Sequence, residues 1–301
     1  MSVTALITNI SRGSLHDGPG VRTVIYYKGC LLRCSWCHNP ETLSPKKELL
    51  YHPSKCIHCG ACVEICPAHH TVVGNDMVFS RDGCARCGSC AASCPSLALT
   101  VCGEELTTEE LLAEIQKDRA YYEASSGGVT FSGGECLLQA DSVAQAAAKC
   151  HDLGISTALE SALFVPWENI QKVLPHIDLF YADLKLADAE KHRRFTGQSN
   201  GLILENLQKL SRCHHNIIVR IPVIPGVNDT EADFMGFGEI LQSLGPGVRQ
   251  VELLKYNFLA ASKYEALEKP FSAFSDHTQS DAQMEALSSF LERICGIPCS
   301  F

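Results

Sequence analysis

Seventeen cysteines stand in a chain of 301 residues, and three of them, Cys30, Cys34 and Cys37, share one loop with C-x3-C-x2-C spacing. Three thiolates so close together can hold three irons of a [4Fe–4S] cluster, and the fourth iron then keeps a position open to a small molecule. Zinc is the competing reading, but no fourth Cys or His completes a local set, because His38 directly follows Cys37. Eight further cysteines form two copies of one pattern, CIHCGACVEICP at Cys56–Pro67 and CARCGSCAASCP at Cys84–Pro95. This C-x2-C-x2-C-x3-C-P spacing is that of paired [4Fe–4S] clusters in which the fourth Cys ligates the other cluster. It assigns one cluster to Cys56, Cys59, Cys62 and Cys94, and another to Cys84, Cys87, Cys90 and Cys66. With the first loop, that makes three clusters. The six remaining cysteines, Cys102, Cys136, Cys150, Cys213, Cys295 and Cys299, are scattered and read as small apolar side chains.

The stretch 51–103 that carries the repeat is dense in Cys, Gly and Pro and reads as a small inserted module. Roughly 50 residues bury little core unaided, so metal must supply much of its stability. Residues 1–50 and 104–301 make the surrounding domain. Short β-branched or apolar runs predict strands at Thr23–Lys28, Gly128–Ser132, Ser156–Glu160, Leu179–Asp183, Ile217–Val223 and Val248–Leu254. Helical patterns lie between them. Glu105–Ala124 has Thr108 as N-cap candidate, Asp141–Gly154 ends on a C′ glycine, and Val165–Ile177 and Gly201–Cys213 follow. Six alternations predict an α/β fold with a parallel sheet, as an open barrel or a doubly wound sheet. Either places the chemistry at the carboxyl ends of the strands.

Composition narrows the classes further. Hydrophobic residues make up 46% and charged residues 20%, which predicts a packed core. Lys plus Arg number 25 against 34 Asp plus Glu, a formal charge of −9, so a nucleic-acid partner held by phosphate neutralisation is not expected. No apolar run approaches the roughly 18 residues of a membrane span. MSVTALITNISRG lacks a charged segment followed by an apolar one. The expectation is a cytoplasmic protein with no membrane partner, whose thiols stay reduced.

C-x3-C-x2-C with an aromatic residue, Trp36, before its last Cys resembles the radical S-adenosylmethionine (SAM) superfamily. SGGE at Ser132–Glu135 strengthens the resemblance, since a glycine pair admits a ligand close to backbone and a carboxylate suits an ammonium group. The resemblance implies a partial (β/α)6 TIM-like barrel. The amino and carboxylate groups of SAM would chelate the open iron, and one electron would break the S–C5′ bond to give a 5′-deoxyadenosyl radical. Gly133, Gly134 and Glu135 inherit the SAM amino group. Cys136, where the family often has Pro, reads as packing.

HDGPGVRTVIYYKGC (His16–Cys30) and CHNPET (Cys37–Thr42) are similar to the activating enzymes of glycyl radical enzymes. That narrower resemblance implies hydrogen abstraction from a backbone glycine of a partner glycyl radical enzyme, with Asp17 near that glycine. YADLK (Tyr181–Lys185) puts Asp183 and Lys185 near SAM or its products, making Asp17 and Lys185 the catalytic candidates. ALES (Ala158–Ser161) puts Glu160 and Ser161 near the ribose or a cation, and VRIPVIPGVND (Val219–Asp229) points Arg220 at the ligand. At the sixth strand the sequence departs from the family. LKYN replaces the frequent LPYH, so Asn257 stands where a ligand-touching His is usual and cannot titrate. LAASKYEAL (Leu259–Leu267) still resembles the family's segment with Lys and Tyr. The ferredoxin-like insert resembles that of activating enzymes serving dehydratases, decarboxylases and C–S or C–N lyases. It suggests an electron relay from flavodoxin or ferredoxin. Two other readings stay open on the residues: a radical SAM enzyme acting on a small molecule, and a non-catalytic multi-cluster electron carrier. HDGPG argues against the first, and SGGE with the strand-end residues argues against the second.

Overall fold

The computed structural model describes residues 3–74 and 76–301. Its strands, in chain order, are β1 (Thr4–Ser14), β2 (Arg22–Tyr27), β3 (Glu48–Tyr51), β4 (His70–Val73), β5 (Asp76–Phe79), β6 (Leu99–Cys102), β7 (Glu104–Thr107), β8 (Gly128–Gly133), β9 (Ser156–Ser161), β10 (Leu179–Asp183), β11 (Ile217–Pro222), β12 (Val248–Leu254) and β13 (Cys299–Ser300). One nine-stranded sheet runs β13-β12-β11-β10-β9-β8-β2-β1-β7. The six strands expected from the sequence are its parallel centre, each paired with the next. Their order never reverses, so the switch point of a doubly wound sheet is missing and the winding is that of an incomplete barrel. Both faces of these strands are covered, which is why RTVIYY and GVTFSG are buried almost throughout. Cys136 and Cys150 are fully buried in the same core, packed as apolar side chains.

Two sequence expectations change. Glu105–Ala124 is not one helix. Its first residues join β7, which pairs antiparallel with β1 (Thr4 opposite Thr107), and two helices follow at Thr108–Gln116 and Arg119–Ser125. Sheet pairing outweighs the helical periodicity there. The cap is therefore Thr107, not Thr108: its hydroxyl accepts from Glu110 N–H, and the Glu110 carboxylate accepts from Thr107 N–H. The second break falls at Asp118, whose carboxylate accepts from Arg12 and from the Thr23 hydroxyl at 2.6 Å. The other change is β1 itself, which the sequence pattern did not single out. It is an antiparallel strand with a register shift, half exposed, and so lacks the continuous apolar run that marked its neighbours.

The stretch 51–103 leaves and re-enters this frame through the antiparallel pair β3–β6, with Leu50 opposite Thr100. Inside it lie the hairpin β4–β5 and two one-turn helices, Ala61–Ile65 and Ser89–Ala92. Each helix starts on a glycine in the left-handed region, Gly60 (φ 78°) and Gly88 (φ 81°), so the sequence repeat is also a structural one. Its own core is small: Leu49, Tyr51, Met77, Phe79, Cys90, Ala98 and Leu99.

Thr107→Ala removes the capping hydroxyl and is expected to cost about 1 kcal/mol. Denaturant unfolding of the purified protein measures it, and an unchanged midpoint counts against this cap.

Candidate active site

Cys30, Cys34 and Cys37 line one cavity of about 320 Å³. The carboxyl ends of all six parallel strands line it too: Tyr26 from β2, Ser132 and Gly133 from β8, Glu160 and Ser161 from β9, Asp183 from β10, Pro222 from β11 and Leu254 from β12. Asp17, Trp36, Gly134 and Lys185 complete the expected residues on its wall. The cysteine loop is pinned from two sides. Arg33 and Ser35 N–H groups donate to the carbonyls of Thr196 and Phe195 at 2.7 and 2.8 Å, and Tyr264 Oη donates to the Cys37 carbonyl at 3.1 Å. Lys263 Nζ reaches Asn39 Oδ1 at 2.7 Å and Glu41 at 2.9 Å, giving the SKYEA segment its structural meaning. Trp36 packs with Phe195 and Phe274, ring centroids 6.3 and 6.2 Å away.

The three thiols suit an iron cluster. They form no disulfide, and burial pushes Cys30 up to about 11, Cys34 up to about 12 and Cys37 upward as well. The Lys185 ammonium acts on all three in the opposite sense, favouring thiolate. Three sulfur donors set in one cavity wall next to a cation suit a metal group that takes up their negative charge. Among the described residues no three Cys, His, Asp or Glu side chains close on one point as a single ion requires. Thiols spaced along a cavity wall leave room for a larger inorganic group.

The glycine pair has a reason beyond ligand access. Gly133 has φ +122°, and a Cβ there would lie 2.2 Å from the Tyr27 carbonyl oxygen; one on Gly134 would lie 2.4 Å from that of Gly29. The same contact carries hydrogen bonds from Gly134 N–H to Tyr27 and from Glu135 N–H to Gly29, at 3.0 and 2.8 Å. The Glu135 carboxylate is buried off the cavity wall, accepting from Ser161 Oγ (2.7 Å) and Ala162 N–H (3.1 Å). Burial holds its carboxyl up at about 7 despite these bonds.

Charge on the wall is paired. Lys185 Nζ lies 2.7 Å from Asp183. Burial acts to raise Glu160, but Arg220, Ser132 and Lys185 outweigh it and hold the carboxylate below its usual range. Arg220 does not face the cavity. Its guanidinium donates to Glu252 at 2.7 Å, Glu160 at 3.1 Å and the His16 carbonyl at 2.7 Å, and lies 3.6 Å over the Tyr181 ring. Asn257 is exposed and off the wall, its Oδ1 accepting from Leu259 N–H. Sequence reasoning missed Tyr26, Ser132 and His38 on the wall, and buried Arg22 behind it. Arg22 Nε donates to Thr130 Oγ1 (2.7 Å), which donates to the Asp17 carbonyl (2.6 Å), fixing the HDGPG loop. Strand alternation could have found Tyr26, since Tyr27 beside it points into the core.

The insert holds two more cysteine-lined cavities. Cys56, Cys59, Cys62 and Cys94 line one; Cys66, Cys84, Cys87 and Cys90 line the other. Each therefore joins three cysteines of one motif with the last cysteine of the other.

The radical SAM superfamily profile matches residues 24–237. The chain is 44% identical over 277 residues to the (2S)-3-sulfopropanediol dehydratase activating enzyme of Klebsiella oxytoca, an alignment covering 90% of this chain and 87% of that relative. It is 39% identical over 298 residues to the choline trimethylamine-lyase activating enzyme of Oleidesulfovibrio alaskensis, covering 96% and 95%. In fold it is similar to a radical SAM methyltransferase from Sphaerobacter thermophilus, with TM-score 0.51 at 16% identity, covering 74% of this chain and 67% of the other. With these relatives and this cavity, the chain belongs to the radical SAM superfamily and, within it, to the activating enzymes of glycyl radical enzymes.

Proposed function

We propose that this activating enzyme takes one hydrogen atom from a backbone glycine of a partner glycyl radical enzyme, of the dehydratase, decarboxylase or C–S or C–N lyase type. The observation that carries the reading is the meeting of three loop cysteines and six strand ends on one cavity. Family membership brings a [4Fe–4S] cluster and SAM. When bound, the cluster supplies the electron that opens the S–C5′ bond of SAM, and the radical so formed takes the glycine hydrogen.

The chain's own residues bind and orient. Cys30, Cys34 and Cys37 hold three irons as thiolates beside Lys185. Gly133 and Gly134 present bare backbone to the SAM amino group, and Glu135 braces Ser161 and Ala162 behind it. Glu160, Ser161 and Asp183 face the ribose side. Arg220 serves as a positioning residue, because its bonds tie Glu160 to the His16 loop and so fix Asp17 where the incoming glycine lies. No general base is needed; the task is positioning and electron supply.

Residues 51–103 act as a ferredoxin-like module with two further [4Fe–4S] clusters, one in each cysteine quartet. It passes electrons inward from flavodoxin or ferredoxin in the cytoplasm. The mixed origin of each quartet supports this reading, because shared fourth ligands are the mark of such pairs.

Anaerobic reconstitution is expected to give about twelve irons per chain, for three four-iron clusters. Replacing Cys30, Cys34 and Cys37 together by Ala removes about four and abolishes 5′-deoxyadenosine formation with dithionite and SAM. Full iron with no 5′-deoxyadenosine, even with a glycyl radical partner present, sinks the enzyme reading. Cys59→Ala/Cys87→Ala slows flavodoxin-driven activation at least tenfold while dithionite-driven SAM cleavage persists; full speed with flavodoxin removes the relay. Glu135 supplies a pH test. Its folded value of about 7 lies above the ordinary 4.5, so its contribution to stability is complete below about 4.5 and is lost as pH rises through about 7. The melting temperature of the wild type therefore falls relative to Glu135→Gln across that window, and parallel curves contradict it.

A further inference from the structure

The two cavities of the insert are not equivalent. Each has one serine hydroxyl against a sulfur: Ser96 Oγ is 3.7 Å from Cys94 Sγ in one, and Ser89 Oγ is 3.3 Å from Cys87 Sγ in the other. In the first cavity backbone N–H groups of Ser96, Ala98 and Leu99 also act on the Cys94 thiol, whereas the second is marked by buried histidine. His58, at the first cavity, is exposed. His69 and His70 both line the second. His70 is 1% exposed, and neither of its ring nitrogens meets a polar partner; the buried Nδ1 of His69 has none either.

The rings are held in place. The N–H groups of His69 and His70 both donate to the Cys66 carbonyl, at 3.2 and 3.1 Å. The His70 ring stacks on Phe79, centroids 4.8 Å apart and planes 22° apart. An imidazole carries at least one N–H in any protonation state found in proteins, and a buried N–H without an acceptor forfeits its hydration. The polypeptide offers these nitrogens no acceptor, whereas the sulfurs of a cluster in this cavity would.

We propose that His70, backed by His69, donates an N–H···S hydrogen bond to the cluster held by Cys66, Cys84, Cys87 and Cys90, and so raises its reduction potential. Hydrogen bonds to cluster sulfur favour the more negative, reduced form. The backbone N–H of Arg86, 3.4 Å from Cys84 Sγ, adds to the same effect but survives any side-chain change. This inference rests on the two-cluster reading of the insert.

The test compares reconstituted wild type with His70→Phe, which keeps a ring on Phe79 but loses the N–H. Iron is counted, and each cluster is followed by anaerobic redox titration monitored by electron paramagnetic resonance. The expected result is equal iron in both and a downward shift of one insert potential in the variant, with the other insert cluster and the catalytic cluster unmoved. His70→Gln, which restores an N–H donor, recovers part of the shift. Unmoved potentials at full iron overturn the inference while leaving the two-cluster reading intact. A wild type holding only about four irons overturns both. Wild type and His70→Gln, both labelled with 15N-histidine, give a reading independent of how His70→Phe folds: hyperfine coupling of a reduced cluster to histidine nitrogen is present in the wild type and lost in His70→Gln, and coupling absent from both or unchanged by the substitution overturns the inference.

Discussion

No side chain fits between the end of β8 and the start of the cysteine loop. Backbone meets backbone there, through Gly133 and Gly134 on one side and Tyr27 and Gly29 on the other. The loop begins one residue later, at Cys30, so the strand-end wall and the cysteine loop share a single rigid joint. Movement of β8 relative to β2 would displace both together. A site whose reacting parts must stay within a fraction of an ångström of one another gains from such a joint more than from any single contact. Because the joint is made of hydrogen-bonded backbone, it can be lost only by changing the glycines.

Around that joint the cavity is lined with charge that is already satisfied. Arg220 is shared by Glu160, Glu252 and the His16 carbonyl, and Lys185 by Asp183. Charges buried this deeply are tolerated because each has partners fixed by neighbouring strands. β9, β10, β11 and β12 supply them in adjacent register, with Tyr181 opposite both Glu160 and Ile218, and Arg220 opposite Glu252. Arg22 does the same for the HDGPG loop through Thr130. The polar groups are thus preorganised by the sheet, and the cavity is already shaped for a charged ligand.

The parallel centre was legible in the sequence because strands covered on both faces read as continuous apolar runs, and β8 to β12 match their expected spans to within a residue or so. The grouping of the cysteine quartets was legible because each is spelled out by a repeated short spacing in the chain, and the cavities join the same residues. β1 and β7 were not legible: their pairing is a long-range choice that leaves no apolar run, and β7 borrows residues whose periodicity is helical. Within the site, residue types were readable but directions were not. Arg220 and Glu135 stand at the expected positions but directly behind the wall, bonded to the wall residues Glu160 and Ser161, partners on adjoining strands that a linear pattern does not show. Asn257 sits beyond the end of β12 and is exposed for the same kind of reason: the chain has left the sheet there.

The exchange of the last cysteine between the two insert motifs also bears on how the chain is made. Cys94 completes the quartet of Cys56, Cys59 and Cys62, while Cys66 waits for Cys84, Cys87 and Cys90. On a nascent chain the first quartet is incomplete until synthesis has passed Cys94 and the second until it has passed Cys90, so the first motif cannot be filled alone as it emerges. The small core of the insert, with Leu49 from one edge and Leu99 from the other, is complete only at the same moment. Filling the two quartets in the way proposed above therefore comes late in the making of this module, after both motifs have been threaded.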